Sequence, residues 1–143
     1  MFNKVLLVAA LIGSTIANPL PSDSRDPSAR RASVPADDAC MMNKGDSPQG
    51  VEVYATKESM PIDQVCGQGY LDNFRGRCGV ITSWGCKFVD ENGNKVEEKE
   101  KNEEQITGAK MTFKTSAFCT SSDIIAAMGA ASAADGKKPS KCT

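Results

Sequence analysis

The six cysteines of this chain constrain its fold more than any other feature. They all lie after an apolar leader and a basic pair, at Cys40, Cys66, Cys78, Cys86, Cys119 and Cys142. An even number of cysteines behind an export signal is typical of disulfides formed in an oxidising compartment. The sequence therefore predicts a secreted domain held by three disulfides. Their pairing stays open among the 15 connectivities that six cysteines allow.

Residues 1–17 have the three regions of a signal peptide. Lys4 supplies the positive charge, residues 5–12 form an apolar run, and residues 15–17 end in the small-x-small pattern of a signal peptidase site. The apolar run is too short for a transmembrane helix, which needs about 20 residues. We therefore expect cleavage after Ala17, secretion to the extracellular space, and a soluble mature protein.

Residues 18–31 form a second segment that we expect to be removed. Residues 18–36 are rich in Pro, Ser and Asp, contain no cysteine and offer almost no apolar side chain for burial, as is typical of a disordered pro-segment. Within them, Arg30 and Arg31 form the dibasic pattern that Golgi serine proteases recognise. Cleavage by such a protease would leave residues 32–143 as one disulfide-stapled domain. The alternative is a solvated basic pair with no role in processing.

The charge of residues 32–143 argues against two classes of partner. Four of the 17 cations and two of the 18 carboxylates precede Ala32, so 13 cations and 16 carboxylates remain and the net charge is −3. Binding to nucleic acid without sequence preference needs clustered cations that release counterions, and anionic membranes also attract cations. We therefore expect no nucleic-acid partner and no electrostatic binding to membranes.

The chain contains no histidine, which limits the chemistry it can perform. Nucleophiles activated by histidine, general acid–base catalysis by imidazole and the mechanism of small fungal ribonucleases are all excluded. The spacing between Cys78 and Cys86 is too wide for a zinc knuckle, and residues 90–94 lack the spacing of a helix-loop-helix calcium loop. We predict a protein that is not an enzyme and has no cofactor or metal. The remaining alternative is a carboxylate pair for glycoside hydrolysis.

The pattern of apolar residues predicts three strands, at residues 51–56, 81–89 and 111–115, the last extended by Phe118. Between the second and third strands, residues 91–94 carry an Asn-Gly turn signal. The charged run at residues 96–105 follows this turn, and we interpret it as hairpin arms or an exposed connection rather than a binding loop.

Two helices are predicted from apolar residues that recur at helical spacing. The first lies between the first two strands and ends at Gly76 and Gly79; its apolar face is Ile62, Val65, Cys66, Gly69, Tyr70 and Phe74. The second is capped by Ser121 and Ser122 and ends near Gly136. Its apolar stripe is Ile124, Ile125, Ala127, Met128 and Ala131.

The order of elements is strand, helix, strand, strand, helix and a terminal extended piece. This order predicts an α+β fold of the split βαβ, ferredoxin-like kind, an α/β sandwich in which two helices cover one face of an antiparallel sheet.

Several motifs resemble those of a known group of proteins. They are Gly-x-Cys-Gly at residues 76–79, Trp-Gly-Cys at 84–86 and Thr-Ser-x-x-Cys at 115–119 before an alanine-rich helix. With the leader and the dibasic segment, they resemble small secreted fungal proteins with the smut-virus killer-toxin (killer protein six) fold, over roughly residues 40–142. Many of these are effectors of plant-pathogenic fungi. The resemblance implies an α/β sandwich that acts in the host apoplast, as a virulence factor, or against competing microbes.

The chain departs from the killer toxin, whose precursor yields two subunits, because it has room for one domain. Toxicity is therefore not carried over, and no catalytic residues are known for the fold that could be transferred to this chain. Two hypotheses remain. A monomeric effector would bind a host protein or receptor, extracellular or cytosolic, with Trp84, Tyr54, Tyr70 or Phe88 as possible anchors unless they pack in the core. An antimicrobial or killer-type toxin would instead damage membranes of competing fungi through residues 124–134, although this helix lacks a basic polar face.

Overall fold

The computed structural model describes residues 34–60, 64–66, 68–97 and 102–143. The signal peptidase site at Ala17 and the dibasic pair Arg30 and Arg31 lie outside the described residues, so cleavage at these sites stays a prediction. Ile62 of the first predicted helix also lies outside them, as do the middle residues of the charged run.

The described residues contain two α-helices and a four-stranded antiparallel sheet. The strands are β1 (Ala39–Asn43), β2 (Gln49–Thr56), β3 (Thr82–Val89) and β4 (Gly108–Thr115), and the helices are α1 (Gln68–Cys78) and α2 (Ser121–Ala131). The sheet order is β1-β2-β4-β3, so β4 lies between β2 and β3, the two strands that α1 connects. The predicted α+β fold with a split βαβ unit, two helices and three disulfides is confirmed.

The core lies between one face of the sheet and the two helices. Along β4, buried Met111 and Phe113 alternate with exposed Thr112 and Lys114, because successive side chains of a strand point to opposite faces. The same buried cluster includes aliphatic and aromatic residues of the neighbouring strand and of both helices: Val51, Val53, Tyr70, Phe74, Ile124 and Met128. The opposite face of the sheet, which includes Thr112 and Lys114, is called the outer face below.

Strand β1 was not predicted, because the regular pattern of apolar residues begins only at Val51. Cys40 and Met42 of β1 are buried and Met41 is exposed, so the strand alternates like β4. The predicted terminal extended piece lies beside β1: the amide of Met42 donates to the carbonyl of Thr143 at 2.8 Å, and the amide of Thr143 donates to the carbonyl of Cys40 at 3.1 Å. The carboxyl end of the chain therefore covers one edge of the sheet.

Helix α1 begins at Gln68, so Val65 and Cys66 of the predicted apolar face precede the helix, in a turn, and their assignment to the helix was wrong. Tyr70 and Phe74 of the predicted face are buried in the helix, one turn apart on the side towards the sheet. The helix ends at Cys78, and the amide of Gly79 donates to the carbonyl of Arg75 at 3.0 Å. Gly79 has a φ of +75°, the left-handed conformation common just after a helix. The predicted end at Gly79 is confirmed, but Gly76 lies inside the helix, so the prediction that it ends α1 was wrong.

Helix α2 begins one residue earlier than predicted, because its N-cap is Thr120 rather than Ser121 or Ser122. The Thr120 hydroxyl accepts from the amide of Asp123 at 3.3 Å, and the Asp123 carboxylate accepts from the amide of Thr120 at 2.9 Å. This reciprocal pair is a capping box. The helix ends at Ala131 rather than near Gly136, and residues 133–136 form a turn instead.

We expect Thr120→Ala to lower the free energy of unfolding by about 1 kcal/mol, because the first turn of α2 loses its capping oxygen. Ser122→Ala is the matched control, and we expect it to have almost no effect because Ser122 is exposed. Urea unfolding at neutral pH measures both changes. An equal loss in the two variants would contradict the assignment of Thr120 as the cap.

The same cap should depend on pH. The hydrogen bond from the Thr120 side chain lowers the pKa of Asp123 below its ordinary value of 3.8. A lowered carboxyl pKa stabilises the fold above its pKa in the unfolded chain, and the stabilisation is lost as the pH falls through the folded-state pKa. The difference in stability between wild type and Thr120→Ala should therefore shrink in acid, as unfolding curves between neutral pH and pH 2 would show.

The predicted Asn-Gly turn follows β3. The Asp90 carboxylate accepts from the amides of Asn92 and Asn94, both at 2.9 Å, and Gly93 has a φ of +77°. After the turn, the amide of Val96 donates back to the carbonyl of Phe88 at 2.9 Å. Among the described residues of the charged run, Val96 is buried, whereas Glu97 and residues 103–105 are exposed, as expected for a solvated connection.

Candidate functional site

The six cysteines form three disulfides: Cys40–Cys142, Cys66–Cys86 and Cys78–Cys119. The first joins β1 to the carboxyl end, the second joins the segment before α1 to β3, and the third joins the end of α1 to the loop before α2. No cysteine is free. The predicted three-disulfide framework is confirmed, and the structure supplies the pairing that the sequence left open.

Two of the four possible anchors, Tyr54 and Tyr70, are not available on the surface. The side chain of Tyr70 is 1% exposed and its hydroxyl donates to the carbonyl of Ser59 at 3.1 Å. Burial raises the pKa of the Tyr70 hydroxyl well above its ordinary value. Tyr54 is 6% exposed. Burial therefore removes Tyr54 and Tyr70 from the candidate binding anchors. For Tyr70, the alternative of core packing is the correct one.

Trp84 is half-buried and contributes to the core. Its ring centroid lies 6.2 Å from that of Phe74 and 5.7 Å from that of Phe113, within the range of favourable aromatic pairs. Phe88 is also half-buried and packs against the same core cluster. Part of each side chain faces solvent, but neither is a freely presented anchor.

A candidate binding surface lies instead where the third disulfide joins the end of α1 to the loop before α2. Phe118, next to Cys119, is 92% exposed, and Val80, two residues after Cys78, is 75% exposed. The Cα atoms of Cys78 and Cys119 are 4.7 Å apart. We call Val80 and Phe118 the apolar tip. The prediction that Phe118 extends a strand was wrong, because β4 ends at Thr115 and a loop follows.

The loop that carries Phe118 is held in place by several contacts. The Gln49 side-chain amide donates to the carbonyl of Ala117 at 3.3 Å, and the amide of Cys119 donates to the carbonyl of Ser116 at 3.1 Å. With the disulfide, these contacts restrict the backbone on both sides of Phe118. An exposed aromatic side chain on a restrained backbone loses little conformational entropy on binding, which favours its use as an anchor.

A second candidate surface is a cleft of about 720 Å³ at the opposite end of β2. Its walls include residues 34–37, the end of β2 and residues 104, 106 and 107, and it carries three carboxylates, those of Asp37, Glu58 and Glu104. We call it the acidic cleft. Its two ammonium groups are engaged: Lys137 pairs with Glu58 at 3.1 Å, and Lys57 donates to the carbonyl of Glu103 at 3.0 Å. The hydrogen bond to Glu58 raises the pKa of Lys137.

A buried carboxylate adjoins this cleft. Asp38 is 6% exposed, and its Oδ1 accepts from the amide of Thr56 at 2.8 Å and from the Thr56 hydroxyl at 2.9 Å. The Thr56 hydroxyl lies 3.1 Å from that of Ser59 and 3.5 Å from the Lys137 ammonium. Asp38 Oδ2 is buried and has no hydrogen-bond partner among the described residues. This site could not be predicted, because no motif of fixed spacing joins Asp38 to Thr56.

Residues 34–60, 64–66, 68–97 and 102–143 contain neither a candidate metal site nor a membrane-spanning helix. Within these ranges, no group of three or more His, Cys, Asp or Glu side chains is arranged to hold a metal ion. No helix in the same part of the chain has the length and apolar character of a membrane span.

Comparison with known proteins gives no family: no protein-family model, no curated protein and no solved structure matches this chain. The leader, the disulfides, the apolar tip and the acidic cleft are therefore the features from which a function can be inferred.

Proposed function

We propose that this protein is a secreted fungal effector that binds a host target, extracellular or cytosolic and of plant origin, without catalysis. The observation that carries the proposal is the 92% exposure of Phe118 beside a disulfide. Three disulfides are compatible with an oxidising compartment, which agrees with the leader and the dibasic segment. The fungal and plant assignments depend on the resemblance to secreted killer-toxin-like proteins.

The apolar tip supports a role in binding because its exposure is unfavourable in water. Burying a Val or Phe side chain is worth about 1.5–3 kcal/mol each. A few buried aromatic side chains carry most of the energy of typical interfaces. We therefore infer that the target offers an apolar pocket for Phe118, with Val80 at its margin.

Binding of residues 32–143 to leaf protoplasts and to apoplastic fluid tests this proposal. Protein labelled metabolically with radioactive sulfur needs no added group that could disturb the surface. We expect saturable binding that Phe118→Ser weakens at least about tenfold, since loss of a buried anchor typically costs 2 kcal/mol or more. Met41→Ser is the matched control, because Met41 is 53% exposed but lies on the outer face of the sheet.

Circular dichroism melting should show that both variants stay folded. Saturable binding that is equal in wild type and Phe118→Ser would exclude the apolar tip as the binding surface. The absence of saturable binding in every plant material tested would overturn the proposal of a plant target.

A toxin acting on membranes of competing fungi is the second candidate. The helix considered for that role, α2, buries Ile124, Ala127 and Met128 in the core, so its apolar face is not available in this fold. We therefore expect no dye leakage from vesicles of phosphatidylcholine and phosphatidylserine and no inhibition of yeast growth. Leakage at micromolar protein that persists in Phe118→Ser would favour the toxin over the effector.

A further inference from the structure

We propose that the apolar tip binds a protein whose apolar pocket has an aspartate or glutamate carboxylate at its rim, and that Arg77 pairs with this carboxylate. The proposal depends on the proposed function, because it specifies the chemistry of the target that Phe118 contacts. It adds one residue of this chain, Arg77, to a surface that otherwise consists of Val80 and Phe118.

Arg77 lies close to the apolar tip because the third disulfide joins their neighbours in the chain. Arg77 directly precedes Cys78, and Phe118 directly precedes Cys119. The Cα atoms of the two cysteines are 4.7 Å apart, and consecutive Cα atoms are about 3.8 Å apart, so the Cα atoms of Arg77 and Phe118 are separated by at most about 12 Å. A long arginine side chain bridges much of this distance, so one site on a target can contact both residues.

The packing of α1 determines which way Arg77 faces. Phe74 and Cys78 are buried and mark the side of the helix that faces the core. With 3.6 residues per turn, successive side chains are about 100° apart, which places Arg75 and Arg77 on opposite flanks of that side. The Arg77 guanidinium contributes to the lowered pKa of Asp123, in the first turn of α2. The flank that carries Arg77 therefore faces the start of α2, where the loop of the apolar tip ends.

The Arg77 guanidinium is available to a target. It is exposed, and no residue in the described part of the chain forms a hydrogen bond or an ion pair with it. Arg75, by contrast, lies 3.8 Å from the carboxylate of Asp72. The Asp123 carboxylate accepts from the amide and the hydroxyl of Thr120, at 2.9 Å and 2.6 Å. The five N–H donors of Arg77 therefore remain for a partner.

An exposed aromatic ring beside an available guanidinium indicates the chemistry of the target. Aromatic residues and arginine are the residue types that contribute most to binding energy in protein interfaces. A guanidinium that enters an interface loses its water, so it needs an anion in the target. A carboxylate matches two parallel N–H donors of the guanidinium. It belongs at the rim of the target pocket because Val80 and Phe118 need an apolar interior.

A lipid phosphate would also match the donors of Arg77, but the charge of the domain favours a protein. Residues 32–143 have more carboxylates than cations, so an extended anionic membrane repels the domain as a whole. A single carboxylate at the rim of a pocket acts locally, because salt screens exposed charges beyond about 8–10 Å. The carboxylate of a protein is therefore the better partner for Arg77.

Substitution of the two arginines tests the proposal with leaf protoplasts and apoplastic fluid as the probes. We expect Arg77→Gln to weaken the saturable binding of residues 32–143 about tenfold, because the target carboxylate loses a charged hydrogen-bond donor. Arg77→Lys should bind more tightly than Arg77→Gln, since lysine keeps the charge but not the paired donors.

Arg75→Gln is the matched control, because it removes the same group from the opposite flank of α1, and we expect it to leave binding almost unchanged. Both arginines lie in the last turn of α1, where a cation interacts favourably with the helix dipole. The two glutamine variants should therefore have similar unfolding temperatures. A difference in binding between them then reports on the target and not on the stability of the helix.

Ionic strength provides a second readout. Binding of the wild type should weaken as NaCl rises from about 0.05 M to about 0.5 M, because salt screens the charge pair. Arg77→Gln should depend less on salt, since it lacks one member of the pair. An equal dependence on salt in the wild type and Arg77→Gln would contradict a charge pair at Arg77.

Other outcomes separate this proposal from the proposed function. Saturable binding that Phe118→Ser weakens but Arg77→Gln does not would overturn the role of Arg77 and leave the effector proposal intact. The same holds if Arg75→Gln weakens binding as much as Arg77→Gln, or if Arg77→Lys binds no better than Arg77→Gln. Binding to vesicles of phosphatidylcholine and phosphatidylserine that requires both Phe118 and Arg77 would replace the protein carboxylate with a lipid phosphate. The absence of any saturable binding by the wild type would overturn the proposed function itself.

Discussion

Replacing Cys40 and Cys142 together with alanine is expected to lower the free energy of unfolding by about 4.7 kcal/mol, as loop-closure entropy gives for a loop of roughly 100 residues. The two cysteines are 102 residues apart, the largest separation among the three disulfides. The bridge also holds the carboxyl end beside β1, where the amide of Met42 and the carbonyl of Thr143 pair at 2.8 Å. Chemical unfolding of residues 32–143 followed by Trp84 fluorescence measures the loss.

The disulfide between Cys66 and Cys86 provides the matched comparison. Its cysteines are 20 residues apart, so the same entropy argument gives a smaller loss, about 3 kcal/mol, for the double alanine variant. Both variants remove two cysteines and one bridge, and they differ mainly in the length of the loop. A loss from Cys66→Ala with Cys86→Ala that equals or exceeds the loss from the long loop would contradict the entropic account.

The main elements of the fold could be predicted because local patterns determine them. The alternation from Val51 to Thr56 and from Met111 to Thr115 predicts two strands that are buried on one face, and the structure pairs them directly as β2 and β4. The helical spacing of Tyr70 and Phe74 likewise predicts the buried face of α1. These side chains enter the core because they are apolar. Their spacing within a short stretch of sequence already shows which face of the strand or helix is apolar.

Strand β1 shows where local pattern fails. Residues 39–43 are Ala-Cys-Met-Met-Asn, which contain no β-branched or aromatic residue to indicate a strand. The strand forms because it pairs with β2 and because Cys40 is tied to Cys142, a residue at the other end of the chain. A contact over such a separation leaves no periodic signal in the sequence.

The candidate sites could not be predicted for a related reason. Aromatic residues often anchor interfaces, which is why the sequence points to Trp84, Tyr54, Tyr70 and Phe88, but residue type does not show which side of a sheet or helix is covered. Phe118 is exposed because β4 ends at Thr115 and a loop follows, and Asp38 is buried where it precedes β1 and accepts from Thr56 at the end of the paired strand β2. Exposure and burial at these positions are properties of the assembled fold. Exposed side chains such as Phe118 lie on loops that the helices and strands hold in place.

One substitution, Phe to Ala, can be made in the core and in the apolar tip. It therefore distinguishes the contribution of each region to stability and to binding. Phe74 is fully buried, and its ring centroid lies 4.8 Å from that of Phe113 and 6.2 Å from that of Trp84. We expect Phe74→Ala to lower the free energy of unfolding by about 3–5 kcal/mol, because the variant loses apolar burial and leaves a cavity among these rings. Urea unfolding followed by circular dichroism measures the change.

Phe118→Ala is the control, since it removes the same atoms from a side chain that is 92% exposed. We expect it to change stability by no more than about 0.5 kcal/mol, because the Phe118 ring has almost no packing to lose. The two variants should therefore have opposite profiles, with stability lost in Phe74→Ala and target binding lost in Phe118→Ala. A large loss of stability in Phe118→Ala would mean that the Phe118 ring supports the fold. That result would contradict the proposal that the apolar tip is a surface for binding a target.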